Sequence, residues 1–372
     1  MINGANSDLS LTSDERSALS AGWNLADAHA RQEMSPSEIR SIRERMGEMF
    51  VLASQADYAL LEQESSAAFL LSMGQNPGKS RRIAVYSSSV ASMIVARMLR
   101  NRGASVRLTC PTFDNVYALL VGEGLDVKPR IGLAELEVTS DADAIFEVTP
   151  NNPTGQFLDP TELSKLARRC ADAGQVLILD QSFKGQVEEA CFDHYGLLDS
   201  SGVSYVVIED TGKLWPTLDL KVAFLVCSGD LLQEVELIVD DVLLNVSPFL
   251  LQLVLEYSRY SIADNFASIR GLIRENRQIL RACLKDVVQV AVAYPESTIG
   301  VEVLDLNVGT SHEHLAMLDR SGIAALDTRK FYWSSEAAAP SQIRLALCRE
   351  PDLFRAARDR LVDLWTVAGV PQ

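Results

Sequence analysis

Short β-branched and apolar runs recur through the middle of the chain, at Arg82–Tyr86, Val106–Thr109, Ala144–Val148, Val176–Asp180, Tyr205–Ile208 and Ala223–Cys227. Between them lie stretches of helical period. One is Thr161–Ala173, which follows the helix-compatible Pro160 and precedes Gly174. Strands alternating with helices predict βαβ units and an α/β fold built on a mostly parallel, doubly wound sheet. Such sheets gather ligands at the carboxyl ends of their strands, so the residues just after each run matter most.

The pattern changes beyond about residue 228. A long helical stretch, Pro248–Val287 with a break near Ala263, leads into strand-like Gly300–Leu304. A helix near His312–Arg320, a strand at Gln342–Leu347 and a terminal helix at Pro351–Val367 follow. This predicts a smaller α+β domain joined to the large one by a long helix. The first fifty residues are polar and read as an arm with short helices. Three parts result: an arm over 1–50, a large domain over 51–245, and a linking helix with a small domain over 246–372.

Composition narrows the class. The 372 residues are 47% hydrophobic and 23% charged, enough for a large core that needs neither disulfides nor a structural metal. Fifty acidic against 34 basic side chains give a net charge of −16, which disfavours binding to nucleic acid or to anionic membranes. The six cysteines are scattered, with no CxxC pair, and read as reduced thiols of a cytoplasmic protein. The N-terminus lacks the apolar core of a secretory signal, and no apolar run approaches the ~18 residues of a membrane span. His312 and His314 could suggest a metal, but they lack partners in register, so no metal is expected.

Four features fall at strand ends. Tyr86 and Ser87, Ser88, Ser89 and Val90 meet the start of a helix, where backbone N–H groups and hydroxyls form an anion site; the same serines also suit a plain helix cap. Thr149-Pro150-Asn151-Asn152-Pro153-Thr154-Gly155 follows the third run, and would also serve as an ordinary turn. Asp180 ends an apolar strand and needs a cationic partner to stay ionised. Lys213 follows the Tyr205–Ile208 strand. Asn152, Asp180 and Lys213 are spaced by roughly thirty residues, one βα unit each, which puts all three on one edge of the sheet.

From about residue 60 onward this ordered set, with Arg344 in Gln342-Ile343-Arg344-Leu345, resembles the fold-type-I pyridoxal-phosphate (PLP) enzymes of the class I/II aminotransferase type. The resemblance implies that Lys213 carries the cofactor as a Schiff base and that Asp180 pairs with the pyridinium nitrogen. It implies further that Asn152 meets the ring hydroxylate and that Phe113 stacks on the ring. Ser87, Ser88, Ser89, Val90, Ser182 and Lys221 would hold the phosphate. Arg344 would clamp the substrate carboxylate in a bidentate fork. From the residues alone, Arg344 also suits a structural ion pair, and Phe113 plain core. Two departures put ordinary transamination in doubt. Phe183 stands where many members have a tyrosine, and Asp210 where many have a serine.

The arm, in Leu11–Glu15 and Asn24–Arg31, resembles a small branch of oxygen-consuming, PLP-dependent L-arginine oxidases and hydroxylases. Tyr86–Val90, Pro111–Asn115, Asp180–Phe183 and Val207–Lys221 carry the same resemblance. It implies a homodimer with L-arginine and O2 as substrates, giving 2-oxo-arginine or its 4-hydroxy derivative with H2O2 and ammonia. Glu15, Asp27 and Asp210 would meet the guanidinium, with Thr12 as a neutral helper and His29 as the imidazole of the oxidation or hydration steps. Without the resemblance, the arm residues read as a solvated face or as caps. An arginine desaturase, a conventional aminotransferase, a capreomycidine-type cyclase and a PLP-binding regulator are the competing readings.

Overall fold

The computed structural model describes residues 10–33, 36–76, 82–131, 141–217 and 220–367. The start of the N-terminal segment, and Leu218 and Asp219 of the Val207–Lys221 stretch, lie outside the described residues.

Seven strands form the main sheet: β1 (Arg82–Val85), β2 (Val106–Cys110), β3 (Val127–Ile131), β4 (Ala144–Val148), β5 (Val176–Asp180), β6 (Tyr205–Asp210) and β7 (Ala223–Cys227). Their order is β1-β7-β6-β5-β4-β2-β3. All neighbours are parallel except at β7, which runs antiparallel to both β1 and β6. Strands β4 to β7 are buried at every position. One core cluster packs on each face, led by Leu177, Leu179 and Val207 on one side and Ile178, Val206 and Ile208 on the other. Burial on both faces explains why these strands read as continuous apolar runs rather than as alternating ones. Strand β3, Val-Lys-Pro-Arg-Ile, escapes that pattern. It lies at the sheet edge, where Pro129 is tolerated and the charged residues face solvent or neighbours.

The long helical stretch divides into Pro248–Asp264 and Ala267–Leu284. Asn265 and Phe266 between them both take left-handed backbone angles, with φ of 49° and 55°, which ends one helix and redirects the next. The small domain carries a second sheet of β8 (Val290–Val292), β9 (Val301–Leu306), β10 (Leu326–Asp327) and β11 (Gln342–Ala346), in the order β10-β11-β9-β8, all antiparallel.

Two helices occupy the region read as an arm. Leu11–Ala18 has eight residues; Pro36–Gln55 has twenty and runs across residue 50. The first is docked rather than free. Leu11 and Ala18 are buried against Leu326 and Phe331 of the small domain, with Phe113 of the large domain packed beside them. Trp23 and Asn24 pair in parallel with Ile323 and Ala324, which ties the arm to the small domain by backbone bonds. No helix among the described residues is long and apolar enough to cross a membrane.

Candidate active site

The carboxyl ends of β4, β5 and β6 put Asn152, Asp180 and Lys213 on one rim, as their spacing predicts. The turn after β4 is built by Asn151, whose side-chain oxygen accepts from the Thr154 N–H (3.2 Å) and hydroxyl (2.9 Å). Gly155 closes it with φ of 76°, and a Cβ there would stand 2.1 Å from Ser297 Oγ, so no other residue fits. That turn presents Asn152 to Arg344, whose Nη1 donates to Asn152 Oδ1 at 3.4 Å.

Asp180 Oδ1 accepts from the Ser182 N–H at 2.9 Å and the Ser182 hydroxyl at 2.5 Å. Ser182, expected at the phosphate, is therefore turned to the aspartate. Burial pushes the Asp180 carboxyl up to about 6, against the Ser182 hydrogen bonds and with help from the charges of Asp210 and Glu209. Lys213 Nζ lies 5.9 Å above the Phe183 ring, and Gln186 grips the loop by donating to the Lys213 carbonyl at 2.8 Å. The same Gln186 accepts from the Gly300 N–H at 2.7 Å, linking the lysine loop to the small domain. Gln186 carries no sequence signal, since its role depends on a contact across domains.

At the helix start, Ser87 Oγ caps by accepting from the Val90 N–H at 3.3 Å, Ser89 accepts from Asn115, and Ser88 opens the helix Ser88–Asn101. Phe113 meets Phe331 edge-on at 5.6 Å between ring centres, and Phe331 in turn lies 5.7 Å beneath the Arg344 guanidinium. Arg344 is wholly buried. Its Nη2 donates to the Ala26 carbonyl and pairs with Glu15 at 3.0 Å, while its Nε has no hydrogen-bond partner.

The three carboxylates expected at a guanidinium each hold a partner within the chain. Glu15 is on Arg344. Asp210 Oδ1 accepts from the Gly212 N–H at 2.6 Å, inside its own loop. Asp27 is bonded to His29 Nδ1 and pairs with Arg349 at 3.3 Å and Arg31 at 3.8 Å. Burial alone would raise Asp27; the His29 hydrogen bond and charge, then Arg349 and Lys213, hold it well below the usual range. Thr12 is exposed in the first turn of Leu11–Ala18. Lys221, expected at the phosphate, places Nζ 3.1 Å from His29 Nε2.

The other histidines face elsewhere. His194 Nδ1 is 2.9 Å from the Phe192 carbonyl. His314 Nε2 lies 2.8 Å from the Val308 carbonyl, while its Nδ1 accepts from Trp365. Among the described residues, no three His, Cys, Asp or Glu side chains converge as metal ligands.

The pattern of class I and II aminotransferases matches residues 132–361. The chain belongs to that family. Its cofactor is pyridoxal phosphate, and its fold is aminotransferase fold type I. It is similar to the solved structure of MppP soaked with the product 2-ketoarginine, at 38% identity over 92% of this chain and 99% of that one, with a TM-score of 0.86. An aminotransferase from Mycobacterium tuberculosis, at 15% identity over 96% of each chain and a TM-score of 0.79, shares the fold. A threonine-phosphate decarboxylase from Sinorhizobium sp is 30% identical over 122 residues. That stretch is 33% of this chain and 35% of the relative, so the chain spans about a third of the length of this curated relative. The residues present suit the cofactor. A buried carboxylate in need of a cation, a lysine on the next strand end and a serine-rich helix N-terminus lie on one rim.

Proposed function

We propose that the protein oxidises free L-arginine with O2. The observation that carries this reading is the 38% identity to MppP along nearly the whole chain, in a structure holding 2-ketoarginine as product. That molecule is arginine with its α-amino group replaced by an oxo group. An enzyme forming it must grip a carboxylate and a guanidinium while handling the α-carbon. PLP supplies an electron sink for the substrate carbanion when bound.

Every other role falls to side chains of this chain. Arg344, buried and with Nε unsatisfied, binds the α-carboxylate; Glu15 must give way as it does. Glu15, once released, stands within the arm as a partner for the guanidinium, with Thr12 beside it. Asp180 keeps the pyridine nitrogen protonated, Lys213 anchors the cofactor and moves the α-proton, and Asn152 orients the ring hydroxylate. Ser87, Ser88, Ser89 and Val90 hold the phosphate at the helix start, with Ser182 and Lys221 able to turn toward it. Phe113 covers the ring, and His29 moves protons in the later steps.

The simple oxidation takes arginine, one O2 and one water to 2-oxo-arginine, ammonia and H2O2. The deeper one takes two O2 and two waters to the 4-hydroxy-2-oxo acid, ammonia and two H2O2. In this reading the enzyme is a cytoplasmic homodimer. An oxygen electrode with L-arginine, followed by mass spectrometry of the products, tests it. Oxygen uptake with H2O2 and a 2-oxo acid is expected; turnover only with an added 2-oxo acid acceptor would make the protein an ordinary aminotransferase.

A further inference from the structure

His29 stands beside Asp27, Lys213 and Lys221, and Asp27 pairs in turn with Arg31 and Arg349. Their arrangement is a chain rather than a cluster. Arg349 Nη2 forms an ion pair with Asp27 Oδ2 at 3.3 Å without hydrogen-bond geometry, Asp27 Oδ1 bonds His29 Nδ1, and His29 Nε2 faces Lys221 Nζ at 3.1 Å. Asp27 and Arg349 are 2% and 3% exposed, so this is a buried ion pair joining the arm to the segment after β11.

Both ends are anchored. Asn24 Oδ1 accepts from the N–H groups of Ala26 (3.0 Å) and Asp27 (3.1 Å), and Asp27 Oδ1 also accepts the His29 backbone N–H at 3.0 Å. On the other side the fully buried Asn276 donates to the carbonyls of Leu347 (2.7 Å) and Arg349 (2.9 Å). A buried carboxylate is retained only when paired, and removing its partner leaves an uncompensated charge.

The direction of the chain follows from donor chemistry. An ammonium has donors and no acceptor, so the ring nitrogen facing Lys221 must offer a lone pair. The ring proton then sits on Nδ1 and is given to Asp27. The Lys213 charge, burial and the Lys221 charge together hold the imidazole below its ordinary value against the pull of Asp27, which favours the neutral ring. A neutral imidazole with one fixed tautomer, its Nε2 lone pair released when Lys221 turns to the phosphate, is the form that accepts protons in catalysis, and a carboxylate behind it selects that form.

We propose that Arg349 and Asp27 are positioning residues for His29: the buried guanidinium fixes the Asp27 carboxylate, which fixes the imidazole with its Nε2 lone pair turned to Lys221. Asp27 in this role is occupied and does not serve the substrate guanidinium. Only the activity arm of the test rests on arginine oxidation being the reaction.

The test uses the full-length, PLP-loaded protein with 15N-labelled histidine, the His29 signals being identified by their loss in His29→Ala. In the unaltered protein at neutral pH, His29 should show a protonated Nδ1 and a bare Nε2. Arg349→Met should mix the tautomers, and Arg349→Lys, which keeps the charge, should restore most of the original pattern. With L-arginine, Arg349→Met should shift the ratio of hydroxylated to simple 2-oxo product about tenfold in the same direction as His29→Ala, with KM nearly unchanged. A His29 ring protonated on Nε2 in the unaltered protein overturns the proposal. So does an Arg349→Met spectrum identical to it. If Arg349→Met does not fold, the unaltered protein and Arg349→Lys decide. Correct tautomers without arginine oxidation would leave this inference standing and remove the proposed function alone.

Discussion

The two sides of the site are built in opposite ways. Asn152, Asp180 and Lys213 form the floor, each at or just after the end of a strand of one buried sheet; the first two are positioned mainly by their own turns and the Lys213 loop by Gln186. The roof is Glu15, Asp27 and His29 of the arm, held to Arg344 and Arg349 of the small domain through ion pairs. The floor rests on a rigid core that would exist without ligand or arm. The roof rests on a two-turn helix docked through Leu11 and Ala18, on the short pairing of Trp23 and Asn24 with Ile323 and Ala324, and on ion pairs. One of these pairs, Glu15 on Arg344, spans 329 positions in the chain. In the proposed reading, cofactor binding belongs to the floor, while substrate choice and the His29 proton steps belong to the roof, so the two sets of roles can change separately.

The largest effect belongs to the floor. Lys213→Ala should lose the visible absorbance of the attached cofactor and at least about a thousandfold in turnover of arginine. Absorbance and turnover surviving together would show that Lys213 is not the attachment point. Next comes the roof. Deleting residues 1–30 should leave the cofactor bound, because none of the proposed cofactor residues lies there, yet lower arginine oxidation by about a hundredfold. Loss of the cofactor in that deletion would erase the distinction between floor and roof.

This division also governs what was legible in the sequence. The strand runs Ala144–Val148, Val176–Asp180 and Ala223–Cys227 match the observed strands end to end, because burial on both faces writes a largely apolar run, interrupted in the first only by Glu147, which is paired with Arg130. The edge strand Val127–Ile131 went unseen, since Pro129 and its charged neighbours erase that signal. The floor residues stood out because each follows such a run. Gln186, Phe331 and Arg349 did not, although they touch the lysine loop, the clamp and Asp27. Their roles exist only once distant segments meet. The arm residues were recognisable by resemblance, but not their partners: nothing local in the sequence says that Glu15 pairs with Arg344 or that Asp27 pairs with Arg349.

A third prediction isolates the floor by pH. Asp180 folds with its pKa raised to about 6, from an ordinary value of 3.8, because burial penalises the charge. Its contribution to stability is therefore fully present below about 3.8 and lost as pH rises through about 6. In the cofactor-free protein this should remove about 2 kcal/mol between those limits, and Asp180→Asn should flatten that part of the curve. Bound cofactor should flatten it too, because a pyridinium beside Asp180 stabilises the ionised form. The same pH dependence in Asp180→Asn as in the unaltered protein would assign it to other groups.

The smallest effects come from a matched pair of helix caps, one in each region. Asp159 caps Pro160–Ala173 in the large domain, accepting from the N–H groups of Thr161 (2.7 Å) and Glu162 (2.8 Å), with Glu162 returning the bond. Ser10 caps Leu11–Ala18 in the arm, accepting from the Ser13 N–H at 3.2 Å. Replacing either by alanine removes one cap, worth about 1 kcal/mol. In the large domain that loss is shared by the whole cooperative unit, so Asp159→Ala should lower Tm by about 2 °C and leave KM for arginine alone. In the arm the same energy sets only the balance between docked and undocked helix. Asp114, which accepts the Leu11 N–H at 2.9 Å, is then left to hold the helix start by itself. Ser10→Ala should thus leave Tm unchanged, raise KM for arginine about fivefold and speed proteolytic cleavage within residues 10–33. If Ser10→Ala lowered Tm and spared KM, the arm would belong to the same cooperative unit as the sheet, and the roof would be as rigid as the floor.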